Sequence, residues 1–261
     1  ICAILCYIVC FKLTRERVEV PASSQKVSAS AIFKSIFTNR ALLGIIVAAI
    51  FVLLSQLTVM SLAGYVYPNV YGSAAAQSTA SLLGTVVMLI VCAPFASKLA
   101  AKFGKKELAV ASSICSALVW LVCLIWRPSS VWGFVACYIL ANIGMGFFNT
   151  IIWAMITDVI DDAEVRSGIR EDGTIYSVYS FARKLGQAFS SGLVGALLGI
   201  IGYTEATAFD PAVTRGIFNM ACIAPIIGFV CIVLALVFLY PLSKKKVEEN
   251  VAALAARRNS K

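Results

Sequence analysis

The stretch from Thr157 to Gln187 carries most of the side chains whose types and spacing could do chemistry. Asp158, Asp161, Asp162, Glu164, Arg166, Arg170, Glu171 and Asp172 are dense enough to make ion pairs in water. They are too dense for hydrocarbon, which predicts an aqueous loop between two membrane spans. Past Gly173 the pattern becomes helical, with Ser177, Ser180, Lys184, Gln187 and Ser191 at spacings of three and four, hence on one face. Lys184 lies well inside that helix. An ammonium at such depth costs roughly 2.5 to 3.5 kcal/mol to insert, so it should face a wet cavity and have a partner. The chemistry implied is binding of an ion or polar solute; a static ion pair between helices is the plainer alternative.

A second constellation precedes it. Asn142, Gly146, Asn149 and Trp153 fall at spacings of four, three and four, placing two amides and an indole on one helical face. Sugars call for this mixture: amides exchange paired hydrogen bonds with hydroxyls, and an apolar ring face stacks on an indole. The alternative is that the two asparagines only tie helices together. Gln77, Ser81 and Thr85, and more weakly Ser55 and Gln56, form lesser stripes that read as helix packing. Gly192, Gly195, Gly199 and Gly202 give a small-residue edge expected to support close helix packing, with a dimer interface the lesser reading. The chain has no histidine and no hydrolase, zincin or P-loop pattern, so an enzyme is not expected.

The elements that position these groups follow from composition. Of 261 residues, 60% are hydrophobic and 13% charged, far from the roughly 25% charged typical of soluble domains. Continuous apolar runs predict helical spans at 41 to 66, 73 to 97, 108 to 126, 131 to 156, 174 to 203 and 214 to 240. The chain opens on Ile1 within an apolar run, so residues 1 to 13 are expected to end an upstream transmembrane helix. A polar segment, 14 to 40, reads as a linker, and 241 to 261 as a basic tail lying on the membrane surface. Lys and Arg crowd the linker, Lys98 to Lys106, Arg166 to Arg170 and the tail, whereas the alternate loops hold only Arg127 and Arg215. That bias predicts a multi-pass cell (inner) membrane protein with linker and C-terminus cytoplasmic. The net charge of +9 is therefore read as topology rather than nucleic-acid binding. The nine cysteines sit in apolar runs and read as packing residues, with no metal site in this chain.

The order D-x-x-D-x-x-E, then Arg, Tyr-Ser and K-x-G, at Asp158, Asp161, Glu164, Arg170, Tyr176, Ser177, Lys184 and Gly186, resembles the signature of the glycoside-pentoside-hexuronide:cation symporters of the major facilitator superfamily. Ser97 to Lys106, S-K-L-A-A-K-F-G-K-K, resembles the superfamily's G-x-L-x-D-R-x-G-R-R loop, with Ala101 in place of the Asp. Asp162-Ala163 and Val165-Arg166 depart from the Tyr-Gly and Trp-Lys of many members, and Arg183 adds a cation that melibiose permease lacks. The resemblance implies the six-helix C-terminal half of an all-α transporter, built as two inverted three-helix repeats that divide after residue 126. It implies sugar or glycoside symport by alternating access, with Lys184 in cation coupling and Asn142, Asn149, Trp153, Ser177, Ser180 and Gln187 lining the substrate cavity. Asp158, Asp161, Glu164 and Arg170 would form a cytoplasmic lock. No cofactor is implied beyond a coupling cation, Na+, Li+ or H+, bound mainly by a missing N-terminal half. A transporter-like sensor that binds solute without moving it is the alternative.

Overall fold

The computed structural model describes residues 2–14 and 39–259, and every regular element among them is helical. A short apolar helix, α1 (Cys2–Leu13), forms a unit of its own. The expected linker lies almost wholly outside the described residues.

Six helices long and apolar enough to cross a membrane follow. They are α2 (Arg40–Tyr65, extended by a π turn, Val66–Val70), α3 (Ala74–Phe103), α4 (Lys105–Trp126), α5 (Val131–Ser167), α6 (Asp172–Ile201) and α7 (Pro211–Leu234, extended by a π turn, Ala235–Leu239). Local chemistry sets their ends. Asn39 Oδ1 accepts from the backbone N–H groups of Ala41 and Leu42, capping α2. Pro211 supplies the first residue of α7. Gly168, at φ 75°, closes α5 in the left-handed conformation that glycine adopts without a Cβ clash. A final helix, α8 (Lys244–Asn259), is too polar to span.

The largest difference from the sequence reading is at the end of α5. The acidic cluster from Asp158 to Glu164 is not loop but the last turns of a 37-residue helix, and only 168–171 connect to α6. Hydrocarbon thickness limits where apolar residues are needed; it does not stop a helix from continuing into water. Here continuation is favoured by the Asp162–Arg166 pair, one helical turn apart at 2.9 Å.

The chain direction reverses at each connection, so α2 leaves the end that carries Arg40 and Lys105 while α5 returns to it. Below this is called the charged end, and the opposite one, with Trp126 and Arg127, the far end. The main packings are α2 with α6 and α7, α5 with α3 and α4, and α4 with α7. Exchanging the first three helices with the last three maps this set onto itself. Because α2 and α5 run in opposite directions, the two triplets are inverted repeats.

A glycine lies at each of the four crossings that involve α2 or α5. A Cβ on Gly186 of α6 would meet Ile50 O of α2 at 2.7 Å, and one on Gly146 of α5 would meet Cys92 Sγ and Met88 Cγ of α3 at 2.7 Å. Gly228 of α7 closes on Ser55, and Gly144 of α5 on Ser116 of α4, whose hydroxyl donates to Ala141 O at 2.9 Å. Without a hydrophobic drive between helices in lipid, such backbone proximity and interhelical hydrogen bonding hold the bundle. The glycine edge expected to support close packing is not used within this bundle: Gly192, Gly195 and Gly199 face open space among the described residues. At the far end, Trp126 and Trp132 are exposed and Tyr203 meets Tyr65 edge-on at 5.0 Å.

Candidate solute path and charge network

The charges at the charged end divide into three sets. Arg170 Nη1 donates to Asp161 Oδ1 at 2.9 Å and to Glu164 Oε2 at 2.8 Å, and its Nε donates to Asp172 Oδ2 at 2.8 Å. The guanidinium thus fastens the end of α5 to the start of α6. Hydrogen bonding by Glu164, then by Asp161 and Asp172, pushes its pKa further above the ordinary arginine value. Asp158 stands apart from this cluster, although the resemblance grouped them. It is buried and takes Lys105 Nζ at 2.6 Å, which joins the α3–α4 corner to α5. Its second oxygen, Oδ2, has no hydrogen-bond partner among the described residues. Asp162, also buried, accepts from Asn250 Nδ2 of α8 at 3.1 Å and pairs with Arg166.

Four other basic side chains close helix ends. α3, α5 and α7 all reach this end with their C-termini, where unpaired carbonyls leave partial negative charge. Lys244 Nζ donates to Ala101 O at 2.8 Å on α3. Arg257 donates to Glu164 O and Val165 O on α5. Arg40 Nη2 donates to Phe238 O at 2.9 Å beyond α7, and Lys106 Nζ to Tyr240 O at 2.6 Å. The phenol of Tyr240 is itself buried, which holds its pKa well above the ordinary value, and it donates to Met155 O. The tail, expected on the membrane surface, forms α8, which docks on α5 with Asn250 and Leu254 buried. Val247, Asn250 and Leu254, at spacings of three and four, were the available signal.

On α6 the predicted stripe is uncovered. Ser177, Ser180, Lys184 and Ser191 are exposed and Gln187 is half-buried. Ser177 Oγ donates to Thr174 O, and the hydroxyls of Ser190 and Ser191 donate to Gln187 O. Lys184 Nζ donates to Gln187 Oε1 at 3.2 Å and has no carboxylate partner among the described residues. At 1.5 Å per residue it lies roughly 18 Å from the start of a helix about 45 Å long, hence near its middle. Tyr176, in the same motif, is also exposed.

The second cation, Arg183, points elsewhere. Its Cζ lies 5.5 Å from the ring centre of Trp153 on α5 and 5.7 Å from that of Tyr179, in the corner of a T-shaped ring pair whose centroids are 5.5 Å apart. Nη1 donates to Tyr179 Oη at 3.3 Å. The indole expected to be bare for a sugar ring therefore carries a guanidinium on part of its surface, although Trp153 remains 49% exposed. A helical wheel puts Arg183 off the serine stripe; it does not show that α5 stands on that side.

The amide face of α5 is spread over several contacts. Asn142 donates to Tyr138 O at 2.7 Å and lines a small recess with Ser55, Gln56, Trp120 and Met145. Gly146 is buried against α3, and Asn149 is half-buried. Ser81 and Thr85 on α3 are exposed, with Thr85 Oγ1 donating to Ser81 O, and Ser81 also meets the side chain of Tyr138 on α5. α3 and α6, which exchange under the repeat relation, are the two least buried spans, and both carry polar stripes. Cys92, Cys123, Cys137 and Cys222 are buried. Among the described residues no cluster of three metal-ligating side chains converges.

The chain is similar in sequence to several known proteins. A "Glucuronide carrier protein homolog" of Escherichia coli (strain K12) is 28% identical over 261 residues, 99% of this chain and 56% of that protein. An uncharacterised symporter of Bacillus subtilis (strain 168) is 30% identical over 253 residues, 95% of this chain and 54% of its own length. A "Putative sulfoquinovose importer" of Escherichia coli (strain K12) is 28% identical over 177 residues, 68% of this chain and 37% of its own. The chain spans about half the length of the curated relatives it matches over nearly its whole length. The family model described as MFS/sugar transport protein matches residues 1–244. Together with six membrane-length helices in inverted triplets, that match shows that the chain belongs to this family of multi-pass transporters, which are not enzymes, within the major facilitator superfamily.

Proposed function

We propose that these residues form the C-terminal six-helix half of a sugar or glycoside:cation symporter that works by alternating access, with the charged end in the cytoplasm. The observation that carries the reading is Lys184: an ammonium at mid-helix depth, on an uncovered polar stripe, with no carboxylate beside it among the described residues. A preceding half would supply the carboxylates that bind Na+, Li+ or H+, with Lys184 pairing with one of them when the cation is absent and releasing it when the cation binds. The open faces of α3 and α6, with the unfilled glycine edge at Gly192 and Gly195, suit packing against that half. Substrate would bind near the midplane among Trp153, Ser177, Ser180, Gln187 and the amides of α5, and rocking of one half on the other would expose it alternately. Asp161, Glu164 and Arg170 would act on conformation, because their bridge lies at the end of α5 and the start of α6, beyond the substrate-level residues.

The test is Lys184→Ala in the full-length protein, reconstituted in vesicles. Concentrative uptake of sugar driven by a cation gradient should be lost while the protein stays inserted and folded. Uptake against a gradient equal to that of the unaltered protein would reject Lys184 as the coupling residue. Counterflow of labelled sugar checks the transport reading itself, since a protein that only senses solute binds it without exchange.

A further inference from the structure

We infer that Arg183 receives the acid group of an anionic sugar, so that the cargo is a sugar bearing a carboxylate or sulfonate and not a neutral one; this rests on the symport reading above. Two adjacent residues place two cations at the middle of α6, and the structure separates their surroundings. Lys184 lies on the serine stripe, bonded only to Gln187. Arg183 lies about 100° around the helix, against α5. One carboxylate of a neighbouring half, positioned for Lys184, does not also satisfy a group on that other side.

The setting of Arg183 is preorganised and incomplete. The two aromatic rings hold the guanidinium by their negative faces, which fixes its position without neutralising its charge. Of its five N–H donors, only the one from Nη1 to Tyr179 Oη is used among the described residues, and no carboxylate pairs with it there. This half-buried cation keeps its remaining donors free for an oxyanion, and a planar fork of donors fits the paired oxygens of a carboxylate or sulfonate. Trp153 supplies the rest of the site. About half of its surface is open, and its ring centre is 5.5 Å from the guanidinium carbon. A pyranose stacked on the open part of the indole would carry an acid group at its edge towards Arg183. A neutral hexose would stack equally well but leave the remaining donors unmatched.

The experiment compares three probes in the reconstituted full-length protein: methyl glucoside, methyl glucuronide and a glucoside sulfonated at carbon 6. Half-saturation constants are read by counterflow, which needs no cation gradient. The unaltered protein should favour one or both acids over the neutral glucoside by about 10- to 100-fold, the range for a charge-assisted hydrogen-bonded pair. Which acid is favoured distinguishes carboxylate from sulfonate cargo. Arg183→Gln, which retains a donor for Tyr179, should remove most of that preference while leaving exchange of the neutral probe unchanged. Arg183→Lys should keep part of it. Lys184→Ala should retain the preference even where concentrative uptake is lost, which separates failure of the coupling assignment from failure of this one. Equal handling of acids and neutral sugar by the unaltered protein overturns the inference. So does an equal loss for all three probes in Arg183→Gln, which would make Arg183 a support for Trp153. Absence of any exchange overturns the transport reading and this inference with it.

Discussion

Removing the ammonium of Lys105 should destabilise the helix bundle through the carboxylate it leaves behind. Asp158 is only 5% exposed, takes Lys105 Nζ at 2.6 Å, and has no second hydrogen bond at Oδ2 among the described residues. In Lys105→Ala both oxygens would be buried and unpaired, and breaking a buried pair from one side costs about 3 to 5 kcal/mol. Lys105 is itself 33% exposed, so water already screens part of the attraction, and the lower end, about 3 kcal/mol, is appropriate. For a domain near this size, each kcal/mol moves the melting temperature by about 2 to 4 °C, giving a fall of about 6 to 12 °C. The assay is thermal unfolding in detergent, followed by size exclusion, for Lys105→Ala, Asp158→Asn and the pair together. Asp158→Asn should cost less, because the lysine left behind can turn to water. The double variant should be more stable than Lys105→Ala. Strictly additive losses would refute the reasoning, since additivity means that the two groups do not act on each other.

Four further outcomes follow from the same geometry. Gly186→Leu should destabilise the α2–α6 crossing by about 1 to 3 kcal/mol, as overpacking does, whereas Gly192→Ala should change the melting temperature little; equal effects would reject the crossing as the close contact. Asn250→Ala should cost about 1.5 to 3 kcal/mol, the range for a hydrogen bond to a charged group, and should raise proteolysis within α8; unchanged protection would mean that the tail does not dock. Arg170→Ala in the full-length protein should slow transport with sugar affinity nearly intact, and a large loss of affinity at an unchanged conformational distribution would exclude a conformational role. Cysteines placed near Arg127 and Asp210 should react with impermeant reagents from outside, and those near Lys106 and Glu171 should not; the opposite pattern reverses the orientation.

The six spans were legible because hydrocarbon demands continuous apolar length, and the runs from Ala41 and from Val131 supply it without interruption. Helix ends were less legible. From Asp158 onward, charge density indicates water, and a helix and a loop tolerate water alike; the Asp162–Arg166 spacing was the local clue that the helix continues. Periodicity correctly put Ser177, Ser180 and Lys184 on one uncovered face. It could not show that Arg183 meets Trp153 or that Lys105 meets Asp158, because those contacts join elements far apart in the chain and depend on which helices are neighbours. The glycines show the same limit: Gly186 and Gly192 look alike in sequence, and only the position of α2 makes one of them a contact.

The length of α5 gives its two ion-pair sites unequal sensitivity to motion. If α5 rocks about its contact with α6 at Trp153, Asp158 stands about 8 Å from the fulcrum and Glu164 about 17 Å. A tilt of 10° then carries Asp158 roughly 1.3 Å and Glu164 roughly 3 Å, by lever arm alone. The first displacement would leave Lys105 within ion-pair reach of its carboxylate; the second is as large as the 2.8 Å bond from Glu164 to Arg170, which Asp172 at the start of α6 also holds. Under such a tilt the corner between α5 and α6 would act as a strain gauge, registering a small rotation as the making or breaking of a bridge, while the Lys105 pair near the pivot would stay fastened between the two repeats.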